Sequence, residues 1–325
     1  MKKKHIFVAV CACFMGGQLK AQSSVIETGA ANFLNITADA RTAGMAGTGV
    51  ALSGANQSVY LNPAASLSAD NAQAGFTYSY SPWMRDAKKG FSLHSLAGFY
   101  QLDEDNALLL GMRYFNYPKV NLSDNLESVR PKEMAVELSY ARRIYKGLSA
   151  ALGLQYIYSD MCKGVENAKA ANGVAVDLSV FYQQFLDKDR DNFWNVGLKF
   201  SQLGSKMKYL DKEESLPMRL QAGGALGLRL AEHHRLMFST EVAYRIQPSD
   251  VGSVSASAGA EYTLADSFML RGGYHYGDKK KADASYGTVG AGFKRYGGSF
   301  DFAWLFAGDD CPYRNTFWLS LGYAF

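Results

Sequence analysis

Along most of the chain, from about residue 73 onward, apolar and polar positions alternate with a period of two. The clearest segment is Thr316 to Phe325. Phe317, Leu319, Leu321, Tyr323 and Phe325 share one parity, and Ser320, Gly322 and Ala324 share the other. Successive side chains leave a strand on opposite faces, so this segment has one apolar, aromatic face and one small or polar face. Leu148, Leu152, Leu154, Tyr156 and Tyr158 alternate in the same way with Ser149, Gly153, Gln155 and Ser159. Met134, Val136, Leu138 and Tyr140 alternate with Ala135, Glu137, Ser139 and Ala141. The pattern predicts about 14 strands, each of roughly ten to thirteen residues, the length that crosses a bilayer at a tilt. They fall near 73–83, 91–102, 106–117, 132–145, 147–159, 172–186, 191–203, 216–230, 234–246, 254–265, 267–277, 284–295, 298–308 and 314–325.

The joins between these segments carry a second pattern. Joins after even-numbered strands are tight, such as Asp103-Glu104-Asp105, Tyr145-Lys146-Gly147, Ala265-Asp266 and Tyr296-Gly297-Gly298. Joins after odd-numbered strands are mostly longer: Met84–Gly90, Pro118–Pro131, Asp160–Ala171, Gly204–Ser215, Asp278–Asp283 and Ala307–Tyr313. Short turns at one end and long loops at the other are the asymmetry of bacterial outer-membrane barrels. The expected fold is therefore all-β: a transmembrane antiparallel β-barrel of about 14 strands, spanning residues 73–325. Its short turns are expected in the periplasm and its long loops outside. A β-sandwich would not need this asymmetry together with a terminal aromatic residue. Phe325, ending the last alternating strand, is the expected assembly signal for the barrel-assembly machinery.

Residues 22–72 break the pattern. They are rich in Ala, Gly, Ser and Thr, too long for an ordinary loop and too apolar for a plain linker. We expect an N-terminal hatch that folds into the barrel, with a short helix opening near Thr37-Ala38-Asp39-Ala40-Arg41 and capped by Thr37.

Composition removes the main alternatives. Apolar residues make up 48%, but no run approaches the roughly 18 residues of a membrane-spanning helix. The 20 Tyr, 19 Phe and 32 Gly suit aromatic girdles and tight turns. Lys2, Lys3 and Lys4, then the apolar run Ile6–Phe14 and Leu19-Lys20-Ala21, read as a cleavable signal peptide over residues 1–21. Cleavage would remove four lysines and no acid, leaving 30 basic and 30 acidic residues and no net charge. Nothing then calls for nucleic acid as a partner. The localisation expected is the outer membrane of a Gram-negative bacterium, with its lipid as the solvent.

The parity opposite the apolar face carries Arg113, Glu137, Asp177, Lys199, Arg219, Arg229, Glu241, Arg245, Glu261, Arg271 and Asp301. Charges facing lipid cost up to a few kcal/mol each near the midplane, so these are expected in the lumen. Their mixed signs favour structural ion pairs over a selective channel, since opposite charges cancel. Gly44-Met45-Ala46-Gly47-Thr48-Gly49 lacks the Gly-Lys-Ser/Thr of a phosphate loop and reads as a close-packed turn. His233-His234 reads as an exposed turn without a third metal ligand. Cys162 and Cys311, the two cysteines outside the signal, are expected in separate loops and unpaired. No catalytic constellation stands out, so neither enzymatic activity nor a cofactor or metal is expected.

Phe33-Leu34-Asn35-Ile36 with Asp39-Ala40-Arg41, Gly44 to Ala51, and Tyr60-Leu61-Asn62-Pro63-Ala64 together resemble the start of PorV/PorQ-type proteins. Tyr78 to Arg85, Arg113-Tyr114-Phe115 and Tyr156 to Asp160 extend the likeness along the PorV branch. Asn62, Pro63 and Ala64 form the motif shared with the FadL fatty-acid transporters. The resemblance implies a FadL-like barrel and a role in the type IX secretion system of Bacteroidota. There, secreted cargo proteins would be received by their C-terminal signal domain and passed to a surface attachment complex. On that reading partners dock on the outer loops, with Trp83, Tyr209, Leu210 and Tyr313 as exposed anchors. The alternative is a FadL-like transporter of hydrophobic small molecules, which would need a continuous apolar path.

Overall fold

Alternating residues turn into strands here because the two faces of each segment meet different surroundings. The computed structural model describes residues 29–325 except 55, 69–71, 86–88, 120–127, 162–168, 250–251, 279–280, 282 and 310. Sixteen strands are described: β1 (Ala74–Ser81), β2 (Ser92–Gln101), β3 (Asn106–Asn116), β4 (Lys132–Tyr145), β5 (Leu148–Asp160), β6 (Ala171–Phe185), β7 (Phe193–Gly204) and β8 (Met207–Tyr209) come first. They are followed by β9 (Lys212–Glu214), β10 (Arg219–Ala231), β11 (His234–Arg245), β12 (Val254–Leu264), β13 (Phe268–Tyr276), β14 (Tyr286–Arg295), β15 (Gly298–Phe306) and β16 (Phe317–Ala324). Fourteen form a closed antiparallel barrel, and β8 and β9 form a separate hairpin. Each predicted strand is present within a few residues.

Each barrel strand pairs with its neighbours in sequence, with two exceptions. β10 pairs with β7 across the inserted hairpin, and β1 pairs with β16 to close the wall, Tyr78 opposite Leu321. Closure leaves no free edge along the barrel, which a backbone in hydrocarbon requires. The tight joins all lie at one end, the turn end, and the longer joins lie at the loop end. Tyr296 and Gly297 both have positive φ, 50° and 81°, as a two-residue hairpin of the primed type requires.

The outward parity is apolar and uncovered. Leu154 is 57% exposed, Val174 60% and Leu270 64%. So continuous a greasy belt is stable only against lipid, and among the described residues no helix could cross a membrane in its place. The inward parity is buried although no second sheet packs on it. It is covered instead by residues 29–68, which hold two turns of 3-10 helix (Asn32–Asn35 and Pro63–Ser68) and two short helices (Ala40–Ala43 and Ser58–Leu61).

One irregularity shapes the wall. The β6–β7 pairing shifts register between Val176 and Leu178, opposite Gln202, which has a φ of 56°. The displaced N–H of Gln202 donates to Asp177 Oδ1 at 2.8 Å, so the bulge leaves that donor satisfied.

Candidate functional site

Residues 29–68 run through the lumen from the loop end to the turn end. At the loop end Ala30 N donates to Ser215 O at 3.0 Å. The turn Asn32–Asn35 then places Phe33 and Leu34 among Leu93, Phe115, Ile157 and Met207 in one apolar cluster. Phe33 stacks on Phe115 with ring centroids 6.2 Å apart. The space in which an apolar ligand would sit is thus filled by the chain itself.

The middle of the segment is held by charge. Asp39 caps the helix Ala40–Ala43 by accepting from Thr42 N at 3.0 Å and Thr42 Oγ1 at 2.6 Å. The cap is therefore Asp39 and not Thr37, whose carbonyl instead accepts from Trp318 Nε1 at 2.9 Å. A carboxylate is the stronger acceptor, and it sits directly before the first helical residue. Arg41 makes a two-pronged contact with Glu261, both distances 3.0 Å. Arg271 joins the same carboxylate at 2.6 Å and Asp301 at 2.6 Å. Glu241 accepts from Gly49 N at 2.8 Å and Val50 N at 3.0 Å, fixing the next turn of backbone. Thr288 Oγ1 accepts from Ala46 N and donates to Gly44 O. Gly44–Gly49 is thus a packed turn, with Met45 fully buried.

The opposite wall holds the second half. Lys199 bridges Tyr60 O and Asp177 Oδ2, each at 2.9 Å. Arg113 donates to Leu34 O at 2.6 Å and lies 4.3 Å from the centre of the Tyr60 ring. Asn62, fully buried, donates to Val50 O and Val180 O, and its Oδ1 accepts from Ala64 N. Asn62-Pro63-Ala64 therefore ties the segment to itself and to β6. Gly197, Gly259 and Gly273 face inward and let the segment touch the wall backbone. A Cβ at Gly197 would lie 1.9 Å from Val50 O.

Nine of the eleven expected lumen charges are buried: Arg113, Glu137, Asp177, Lys199, Glu241, Arg245, Glu261, Arg271 and Asp301. Arg219 and Arg229 are half-buried near the strand ends, and Arg229 pairs with Asp191 at the turn end at 2.7 Å. Oppositely charged groups largely hold one another or the plug. Glu137 Oε2, Gln155 Oε1 and the Asn35 amide find no protein partner among the described residues, so that side of the lumen keeps hydrogen-bonding capacity for water. A further cavity of about 10 Å³ between Arg41, Ser53, Gln57 and Asn62 has room for one water.

The proposed anchors differ from expectation. Tyr209 is buried, 6% exposed, and Leu210 is half-buried against the same apolar cluster. Met207, Lys208 and Tyr209 alternate in β8, so Met207 and Tyr209 face the lumen and only Lys208 faces out. Trp83 and Tyr313 are half-buried and stack at 5.0 Å over Trp318. The exposed part of the hairpin is polar: Lys208, Asp211, Lys212 and Glu213. His234 Nδ1 is 2.5 Å from the Tyr262 hydroxyl while His233 is exposed, and no metal-holding cluster occurs among the described residues. Cys162 lies outside the described residues, so its expected separation from Cys311 has no structural counterpart. Phe325 is 68% exposed, and its backbone bonds to Gln73 and Ala74 beside the β1–β16 seam. Sequence reasoning missed Arg41 and Trp318, which meet partners more than 200 residues away, and His275, which bonds Ser257 and Asp283 on the inward face.

A closed 14-stranded barrel whose lumen is occupied by the segment preceding β1 defines an outer-membrane protein of the FadL-like class. Solved structures agree on the fold. The toluene transporter TodX of P. putida is similar over 89% of this chain and 98% of its own, at 12% identity and a TM-score of 0.61. The Ralstonia pickettii toluene transporter TbuX gives 12% identity and a TM-score of 0.56, covering 89% and 98%. A Pseudomonas aeruginosa FadL homologue gives 10% identity and 0.54, covering 92% and 99%. No curated protein sequence matches the chain significantly. The family profile described as type IX secretion system protein PorV matches residues 18–251. The chain belongs to that PorV family.

Proposed function

We propose that this protein is a non-enzymatic barrel that binds partner proteins at its loop end during type IX secretion or surface attachment of secreted proteins. The observation that carries this reading is the filled lumen. Phe33, Leu34 and Ile36 occupy the apolar cluster at the loop end, and ion pairs and backbone bonds hold the segment below it. A transport path would require that whole segment to move, whereas docking requires only the surface beside the hairpin. In this reading the loop end faces outward, and residues 1–21 are a removable export signal.

The test replaces Asp211, Lys212 and Glu213 with alanine in the native host. Surface-attached proteins should then accumulate unattached, while the barrel stays folded and heat-modifiable. The transporter reading, suggested by the toluene transporters that share the fold, expects the opposite. A deletion strain that attaches its surface proteins normally but no longer takes up a hydrophobic nutrient would overturn the secretion reading.

A further inference from the structure

Among the described residues, Glu133 is a buried carboxylate without a cation. Asp177, Glu261 and Asp301 each hold a lysine or an arginine, and Glu241 is held by backbone N–H groups of the plug. Glu133 is the second residue of β4, on the inward parity, and 2% exposed. Two hydroxyls serve it: Tyr117 donates to Oε2 at 2.6 Å and Ser159 to Oε1 at 2.7 Å. An ionised carboxylate has about four acceptor sites, so two stay open. The cations nearest in the strand registers are turned elsewhere. Lys132 is on the opposite parity, facing Asp160 in register, and Arg113 reaches Leu34 O and the Tyr60 ring.

Aromatic rings stand around this carboxylate. Phe115 is directly opposite Glu133 on β3, and Ser159 is opposite on β5. The Tyr117 ring meets Phe115 at 83° with centroids 4.9 Å apart, and Phe91 at 70° and 5.6 Å. Phe91 and Phe115 are 6.1 Å apart. The three rings thus form a corner, with the Tyr117 hydroxyl on the carboxylate. Ring faces attract a cation and disfavour an anion, so rings and carboxylate select the same sign of charge. The corner lies at the loop end, where β4 begins, and both Phe91 and Tyr117 are half-buried at the edge of the apolar cluster.

We propose that this corner receives one lysine or arginine side chain of the protein that docks at the loop end. The charged N–H group takes the place of the Tyr117 hydroxyl on Oε2, and the rings flank the alkyl stem. Tyr117 is then a stand-in, a neutral donor at a position where a charged donor bonds roughly twice as strongly. A long flexible stem brings the charge below the rim while the partner's backbone stays outside. The identity of the partner rests on the docking reading above, whereas the affinity of the corner for a cation does not.

The full-length protein in detergent is titrated with N-acetyl-lysine methylamide and with its norleucine counterpart, which has the stem without the ammonium. The readout is the methyl resonance of Ile157, fully buried on the same face of β5 as Ser159. The lysine probe should give a saturable shift and the norleucine probe none. Glu133→Gln keeps the size of the side chain and removes the charge, and should weaken the lysine probe by about 10-fold or more. Tyr117→Phe removes the competing hydroxyl and should bind the probe more tightly. Heat-modifiability confirms the fold of each variant. Equal shifts with both probes, unchanged affinity in Glu133→Gln, or weaker binding in Tyr117→Phe overturns the cation site. In the native host, Glu133→Gln should leave surface proteins unattached, and normal attachment there overturns the assignment of the cation to the docking partner. A full deletion strain that attaches its surface proteins normally counts instead against the secretion reading and leaves the probe binding standing.

Discussion

Gly197→Ala should release the plug without unfolding the barrel. Gly197 sits on the inward face of β7, and an added Cβ would come within 1.9 Å of Val50 O and 2.5 Å of Val50 C. That is about 1.5 Å short of ordinary contact, and both atoms are backbone, so no rotamer change relieves the overlap. Val50 must withdraw. The withdrawal breaks the bonds from Gly49 N and Val50 N to Glu241 and the bond from Asn62 Nδ2 to Val50 O. Two of these have a charged acceptor, and together they contribute about 4 kcal/mol or more. Alanine is no worse than glycine in a strand, so β7 itself should tolerate the change. Hydrogen exchange at Gly49 and Val50 should speed up by roughly a factor of 1,000, and ion conductance through single barrels should rise. Gly224→Ala is the control, because its nearest neighbour would be Asn195 O at an ordinary 3.6 Å. Unchanged protection at Gly49 and Val50 in the Gly197 variant would refute the close seating of the plug, as would an equal change in the control.

Arg41→Ala removes two contacts to Glu261 and one to Ser53 O, and leaves Arg271 as the cation on that carboxylate. Because the Arg41 side chain is a quarter exposed, solvent screening reduces the loss to about 2 kcal/mol, which proteolysis of residues 38–54 should register as roughly 30-fold faster cleavage. Deleting Phe325 should sharply lower the amount of folded protein in the membrane, read by heat-modifiability on gels, since the residue closes the seam onto Gln73 and Ala74. Burial works against ionisation of Asp283, but the hydrogen bond and charge of His275 outweigh it and hold the carboxyl below its usual range. Its contribution to anchoring the β13–β14 loop is therefore present above about pH 4 and lost as pH falls further through the depressed value. Exchange at Gly277 and Asp283 should accelerate as pH falls through that window.

The barrel was readable because each strand separates two unlike surroundings. Lipid demands Leu154, Val174 and Leu270 on one parity, and a crowded lumen demands Ser139, Gly153 and Asp177 on the other, so the period survives through all fourteen strands. The partners of the plug were not readable, because Arg41 meets Glu261 from 220 positions away and nothing local marks the pair. One signal did exist. Gly197, Gly223, Gly259 and Gly273 fall on inward positions of four different strands, where glycine marks close approach of another backbone. The hairpin was misjudged for a different reason. Three residues are too few to stand out as an alternating run, so Tyr209 reads as a loop aromatic until Met207 is seen to share its face.

The direction in which residues 29–68 cross the barrel constrains how the molecule can be put together. Phe33 lies at the loop end, and Pro63–Ser68 lies at the opposite end, immediately before β1. Along the way the segment bonds to Ser320 and Trp318 on β16, the strand made last. Entering a finished ring from the turn end, Phe33 would have to travel the length of the lumen before reaching Leu93, Phe115 and Ile157, whereas on an open sheet each contact can form where it lies. The shorter route lays the segment along the curling sheet before β16 swings round to meet β1. Its bonds to β16 then favour that meeting, so the piece that blocks the pore also serves as the former on which the wall is rolled shut.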